Sequence, residues 1–136
     1  MNNKYMDEAI KEAIKAYKED EVPVGAVIVK DNKIIAKAHN TIEKNNNATN
    51  HAEINVIGKA SKKLKNWRLI DCDLYVTLEP CEMCCGAINT SRIRKVYYLV
   101  PKKEDIGIPK TIYQKVENSS RKYLELLQSF FKEKRG

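Results

Sequence analysis

Four residues in two short segments could together do chemistry: His51 and Glu53 in the first, Cys81 and Cys84 in the second. Imidazole nitrogen and thiolate sulfur are zinc ligands, and a zinc ion with three protein ligands keeps a fourth position open. Water at that position is acidified towards neutral pH, and a carboxylate such as Glu53 can move its proton. The set therefore predicts a catalytic zinc site, because a purely structural site would leave Glu53 without a role.

The favoured pair of thiol ligands is Cys81 and Cys84. Residues three apart on a helix share a face, and Pro80 suits the first helical position. Both thiols would then lie in a first turn, where the helix dipole favours thiolate. A Cys81/Cys85 pair is the alternative, although Cys85 points about 100° away from Cys84 around the helix. Cys72, at a predicted strand start, is expected to be a small core residue.

Each of these features also has a structural explanation. With Asn50 as N-cap, Glu53 would complete a turn like a capping box. A histidine at a helix start is often a capping or surface group, and the cysteine pair alone could be half of a structural zinc ribbon. His39 is expected to pack or to form a surface hydrogen bond, and it is not counted as a ligand. The catalytic interpretation is preferred because His51, Glu53 and the cysteine pair occur together in this order.

Hydrophobic periodicity predicts the elements that position these residues. Predicted helices cover about residues 4–19, 51–64, 80–90 and 119–133. Predicted strands cover 22–30, 34–40, 71–78, 95–100 and 112–116. Asp31-Asn32 is a two-residue hairpin signal, the Asn-rich residues 41–50 are predicted as a loop, and Gly25 could let another group approach the backbone closely.

This order of elements predicts one three-layer α/β domain over residues 1–136, with a mixed central sheet of about five strands flanked by helices. The hairpin makes the first pair antiparallel, and helical crossovers are expected to make the later pairs parallel. The loop 101–110 is short for such a crossover, so the fifth strand could be antiparallel or shifted.

Composition is that of a soluble globular domain: 136 residues, 43% hydrophobic and 32% charged. No apolar run approaches the roughly 20 residues of a membrane span, and the N-terminus lacks a secretory signal pattern. We therefore expect the cytoplasm, where cysteines bind metal or stay free rather than form disulfides. The whole net charge of +7 falls in residues 92–136, with twelve basic and five acidic side chains. Such asymmetry indicates a nucleic-acid partner, with a solvated lysine-rich surface as the alternative.

The segments His51-Ala-Glu53 and Pro80-Cys-x-x-Cys84 resemble the signature of the zinc-dependent cytidine/deoxycytidylate deaminase superfamily. Within it, residues 21–27, 38–40, 50–54 and 67–84 are similar to bacterial tRNA-specific adenosine deaminases, in a match covering about residues 5–98. The resemblance implies a cytidine-deaminase-like fold, a homodimer with one zinc per subunit, and deamination of adenosine to inosine at the wobble position of a tRNA anticodon.

The resemblance also implies a role for each matching site residue. His51, Cys81 and Cys84 would bind zinc, and Glu53 would shuttle protons. The residues that would contact the target nucleotide are Asn40, Val24 and Ala52. Asn40 could instead be a turn residue at a strand end, and Val24 and Ala52 could be ordinary packing residues.

The resemblance weakens after Tyr98. In residues 99–110 an aspartate that the family places near the target nucleotide falls opposite Lys102, so the substrate is less closely indicated than the chemistry. In the last helix, Phe130 and Phe131 could stack on bases or belong to the core. Two other functions remain open, a deaminase of a free base or nucleoside (cytosine or guanine) and a non-catalytic zinc-containing RNA-binding protein.

Overall fold

The computed structural model describes residues 4–102, 112–116 and 121–135. The helices in these ranges are α1 (Lys4–Lys18), α2 (Ile42–Asn45), α3 (Ala52–Leu64), α4 (Glu82–Thr90) and α5 (Arg121–Arg135). The strands are β1 (Gly25–Lys30), β2 (Lys33–His39), β3 (Cys72–Leu78), β4 (Lys95–Val100) and β5 (Ile112–Lys115). The predicted α/β class with a mixed five-stranded sheet is confirmed. None of the described helices combines the length and the apolar character needed to cross a membrane.

The sheet has the strand order β2-β1-β3-β4-β5. β1 pairs antiparallel with both neighbours, whereas β3, β4 and β5 are parallel. The expectation that every pair after the hairpin is parallel is therefore wrong for β1 and β3, because α3 carries the chain across β1 before β3 begins. The C-terminal ends of β2, β3 and β4 consequently lie at the same end of the sheet, and α3 and α4 begin beyond that end.

The sequence left the orientation of the fifth strand open, and β5 is parallel to β4 from the pair Lys95–Ile112 to the pair Tyr98–Lys115. The chain must return along a strand of six residues, a distance of about 20 Å. The eleven residues between Val100 and Ile112 can span up to ~36 Å. The connection is thus long enough for a parallel crossover.

The core lies on both faces of the sheet. Ala26 and Ile28 of β1 pack with residues of α3 and α4, whereas Val27 and Val29 pack with residues of α1 and α5. Alternate side chains of a strand point to opposite faces, so β1 is buried on both sides, and its sequence is almost entirely apolar for that reason. The three predicted layers are present.

Gly25 allows the close contact that its position suggested. A Cβ atom there would lie 2.0 Å from the carbonyl oxygen of Ala9 and 2.5 Å from the amide nitrogen of Ala13. The hairpin turn is also as predicted, since Asp31 and Asn32 have φ angles of 52° and 61°. Both angles fit the two-residue turns that match strand twist.

The predicted loop 41–50 contains the short helix α2, which the sequence did not indicate. The carboxylate of Glu21 accepts hydrogen bonds from the backbone N–H groups of Glu43 and Lys44, at 3.1 and 2.9 Å. Glu21 is almost fully buried. A carboxylate more than twenty residues away in the sequence thus caps the helix, whereas the side chain of its N-cap residue, Thr41, makes no capping hydrogen bond.

Candidate metal centre and active-site cavity

The starts of α3 and α4, beyond the C-terminal ends of β2 and β3, bring the predicted ligands together. His51 is the N-cap residue of α3 and Cys81 is the N-cap residue of α4, and neither side chain hydrogen-bonds its own helix. Cys84 is the third residue of α4. Both helices therefore begin slightly later than predicted, at Ala52 and at Glu82, and the N-cap side chains of His51 and Cys81 are free for another role.

The distances between these side chains fit a zinc ion. Nδ1 of His51 lies 3.7 Å from Sγ of Cys81 and 3.5 Å from Sγ of Cys84, and the ligand atoms of all three residues lie within 4.8 Å of one another. Zinc bonds of about 2.3 Å to sulfur and 2.0–2.1 Å to nitrogen, in tetrahedral geometry, hold such atoms about 3.6 Å apart. Three ligands from the protein would leave one position open, as in catalytic zinc sites.

Burial controls protonation in this cluster. Loss of hydration raises the pKa of the Cys84 thiol above its usual range and lowers the pKa of the His51 imidazole. Burial thus favours the neutral thiol at Cys84. A thiolate at Cys84 needs a cation beside it, so metal binding is coupled to loss of the thiol proton.

Glu53 lies beside this cluster and is 4% exposed. It is the second residue of α3, and the N-cap is His51, so the arrangement with Asn50 as N-cap and Glu53 three residues later is absent. Burial raises the pKa of the Glu53 carboxyl group to about 7, against smaller lowering effects from its own backbone N–H and from Cys84. A carboxyl group that titrates near neutral pH can both accept and return a proton.

A cavity of about 270 Å³ opens onto the cluster. Its wall combines apolar side chains with a few polar ones, and the lining residues are Val22, Val24, Asn40, Ile42, His51, Glu53, Leu78, Glu79, Cys81 and Lys102. A mostly apolar cavity with convergent polar groups is the usual form of a small-molecule site. Sequence reasoning missed Val22, Ile42, Leu78 and Glu79 because only the fold brings them to this wall. Lys102 had one signal, its position in the segment that departs from the family pattern.

The three predicted substrate residues are placed differently. Val24 and Asn40 line the cavity, whereas Ala52 is fully buried outside its lining. The side-chain oxygen of Asn40 accepts a hydrogen bond of 2.7 Å from the backbone N–H of Ala52. Asn40 therefore ties the end of β2 to the first turn of α3, and its Nδ2 group has no hydrogen-bond partner among the described residues.

The remaining cysteines and histidine lie outside the candidate metal site. The Cys85 thiol donates a long hydrogen bond of 3.8 Å to the carbonyl oxygen of Pro80, and Cys72 is buried in the core. His39 lies between two carboxylates, with Nδ1 3.0 Å from Glu12 and Nε2 3.1 Å from Glu19. These ion pairs explain His39 without a metal.

Comparison with known proteins agrees with this geometry. Residues 1–100 match the family described as the cytidine and deoxycytidylate deaminase zinc-binding region. The chain belongs to this deaminase family. Its zinc-binding region contains His51, Cys81 and Cys84, so the cofactor of the chain is zinc, one ion per subunit.

Within the deaminase family, the chain is similar to several tRNA-specific adenosine deaminases. It is 46% identical over 110 residues to the protein of Streptococcus pyogenes serotype M1, covering 81% of this chain and 64% of that protein. The Bacillus subtilis protein is 54% identical over 94 residues, which are 69% of this chain and 58% of that protein. The chain thus spans less than two thirds of both relatives. The Aquifex aeolicus protein is 39% identical over 97% of this chain and 95% of its own length.

Solved structures show the same fold. One comes from a study of A-to-I editing by tRNA:A34 deaminases at the wobble position of transfer RNA; it has a TM-score of 0.76 and 38% identity, covering 82% of this chain and 96% of that chain. Another is guanine deaminase from Bacillus subtilis, with a TM-score of 0.72 and 31% identity over 97% of this chain and 95% of that chain.

Proposed function

We propose that this chain is a zinc-dependent deaminase that converts adenosine to inosine at the wobble position of a tRNA anticodon. The main support for this proposal is that the buried carboxylate of Glu53 lies at one cavity, beside His51, Cys81 and Cys84, whose ligand atoms are spaced as a zinc ion requires. Relatives named tRNA-specific adenosine deaminase, at up to 54% identity over 94 residues, support the choice of substrate.

His51, Cys81 and Cys84 are the residues that would hold the metal. A zinc ion with three protein ligands supplies an acidified water at its open position. Glu53 would accept a proton from the attacking water and deliver protons to the purine ring nitrogen and to the leaving amine. A C–O bond forms at C6 and the C6–N bond breaks, so adenosine and water give inosine and ammonia. The pKa of Glu53, about 7, suits transfer in both directions.

Binding of the target base would use the rest of the cavity wall. An adenine in a folded RNA must leave its stack to reach the cavity, and Val24 offers it an apolar contact. The Nδ2 group of Asn40 would donate a hydrogen bond to the target nucleotide. Ala52 would act indirectly, since its backbone N–H holds the oxygen of the Asn40 side chain.

The tRNA partner is supported by exposed basic side chains in the last third of the chain. Those that are exposed in the described part are Arg92, Arg94, Lys115, Arg121, Lys122 and Lys132. Phe131 is 45% exposed and available for stacking, whereas Phe130 is buried and packs edge-on against Tyr17. Phosphate contact predicts that affinity falls steeply with salt.

We further propose that the enzyme is a homodimer and acts in the cytoplasm. Light scattering of the zinc-loaded protein should give twice the chain mass of 15.6 kDa. A mass equal to one chain at micromolar concentration would contradict the dimer.

The deciding experiment uses an RNA anticodon stem-loop with adenosine at the wobble position. Wild type should produce inosine, and Glu53→Gln should produce none while it keeps one zinc per chain. Ammonia from free guanine or cytosine without inosine from RNA would favour the free-base alternative. RNA binding without turnover of any base would favour the non-catalytic alternative.

A further inference from the structure

Lys102 is one of the residues that line the cavity, and it is half-buried. Among the ten residues that line it, Lys102 is the one with a permanent positive charge. The other ionisable lining groups are the carboxylates of Glu53 and Glu79, together with His51 and Cys81 of the metal cluster.

The backbone at Lys102 is fixed to the metal-binding segment. Its N–H group donates a hydrogen bond of 3.0 Å to Oε1 of Glu79, and the N–H group of Glu79 donates one of 2.8 Å to the carbonyl oxygen of Val100. Glu79 is two residues before Cys81. The two bonds therefore hold Lys102 beside the start of α4, at a defined place relative to the zinc ligands.

The charge of Lys102 is available to a ligand. Across residues 4–102, 112–116 and 121–135, its ammonium group forms no ion pair. The carboxylate of Glu79 is used by the backbone N–H of Lys102 itself.

We propose that Lys102 binds a backbone phosphate next to the nucleotide whose base enters the cavity. The inference rests on the proposed function and assigns the substrate class, because a free base carries no phosphate. The apolar wall and Asn40 suit a base, whereas an unpaired ammonium group suits an anion, and the anion that accompanies a base in RNA is phosphate. Lys102 is then a specificity residue that acts on binding and leaves the chemistry to Glu53.

The test combines charge removal on the protein with charge removal on the RNA. Lys102→Gln removes the cation, Lys102→Arg keeps it, and Lys33→Gln is the matched control. Lys33 is exposed at the start of β2, at the end of the sheet opposite the cavity. The substrates are the anticodon stem-loop, the same RNA with a neutral methylphosphonate at the phosphate 5′ or 3′ of the target adenosine, and free adenosine.

For the natural stem-loop, Lys102→Gln should raise KM about tenfold, the effect of one charge-assisted contact, with kcat within about twofold of wild type. Lys102→Arg and Lys33→Gln should leave KM near the wild-type value. For one of the two methylphosphonate RNAs, the KM of wild type should be about tenfold higher than for the natural stem-loop, whereas the KM of Lys102→Gln should not rise further. Turnover of free adenosine should be the same in all four proteins.

Equal KM values for Lys102→Gln and Lys33→Gln would overturn the inference, as would a methylphosphonate penalty of the same size in wild type and Lys102→Gln. A fall in turnover of free adenosine in Lys102→Gln would also overturn it, because it would place Lys102 in the chemistry. If wild type makes inosine from none of the substrates, the proposed function fails. Affinities of the same RNAs, measured by fluorescence anisotropy, then decide the phosphate contact alone.

Discussion

Replacement of Gly25 by alanine should disrupt the contact between α1 and the sheet. The added Cβ atom would meet the backbone oxygen of Ala9 at 2.0 Å, whereas real Cβ atoms essentially never approach such an atom within 3.0 Å. The atom that obstructs it belongs to a helix backbone, so no side-chain rotation relieves the overlap. Either α1 or the first residue of β1 must move by at least 1.0 Å.

The expected cost follows from what that movement disturbs. Met6, Ala9 and Ala13 of α1 are fully buried against the sheet, and overpacking of a tight core costs about 1–3 kcal/mol, occasionally more. Because backbone must shift, we expect the upper end, about 3 kcal/mol. For a chain of this size that lowers Tm by roughly 10–15 °C.

Thermal and urea unfolding of the zinc-loaded protein measure this effect. Gly58→Ala in α3 and Gly86→Ala in α4 are matched controls, because a Cβ atom at either site has nothing within 4 Å. Alanine in place of an exposed helical glycine should raise stability by about 1 kcal/mol. Gly25→Ala should therefore lower the stability of the protein, whereas Gly58→Ala and Gly86→Ala should raise it. Gly25→Ala with a Tm at or above wild type would refute the packing argument.

Three further predictions concern the metal site and one ion pair. Glu53→Gln should lower kcat for RNA by about 10²- to 10⁴-fold with zinc content unchanged; loss of zinc would mean that Glu53 supports the metal instead. Cys84→Ser should lose zinc and Cys85→Ser should keep it, as measured by atomic absorption. The reverse result would mean that Cys85, and not Cys84, binds the metal. Hydrogen bonds from His39 to Glu12 and Glu19 raise the pKa of His39, so that stabilisation is complete below pH 6.5 and disappears as pH rises through the raised pKa. Between pH 6 and 9 wild type should therefore lose about 1 kcal/mol more unfolding free energy than His39→Gln, and parallel stability curves would contradict the assignment.

Local signals in the sequence were enough to predict that His51, Cys81 and Cys84 lie together and that Gly25 permits a close contact. The three-residue spacing of Cys81 and Cys84 predicted that both thiols lie at one helix start, and a glycine within a predicted strand suggested a close backbone approach. Glu21 gave no such signal, since it caps α2 across more than twenty residues of sequence. The second partner of β1, the antiparallel strand β3, was equally hidden, because local periodicity specifies a strand but does not specify which neighbour it pairs with.

Long-range polar contacts also explain why the candidate zinc ligands His51, Cys81 and Cys84 lie close together. The start of α3 is tied to the end of β2 by Asn40 and by Asn55, whose side-chain amide donates to the carbonyl oxygen of His39 at 2.8 Å. The approach to α4 is tied to β4, because Glu79 bonds both Val100 and Lys102. His51 and Cys81 are therefore each held by a different strand end of one rigid sheet.

This arrangement separates two properties of the site. The dimensions of the metal cluster depend on the sheet and on the two helix starts, which lie within residues 1–100, the range matched by the family. The phosphate contact proposed for Lys102 begins just beyond that range. Under this proposal, substitution of the Lys102 side chain changes substrate binding and leaves the candidate zinc ligands and Glu53 in place, because the tie to Glu79 uses the backbone N–H of residue 102. A deaminase built in this way can retain one reaction while its choice of substrate changes.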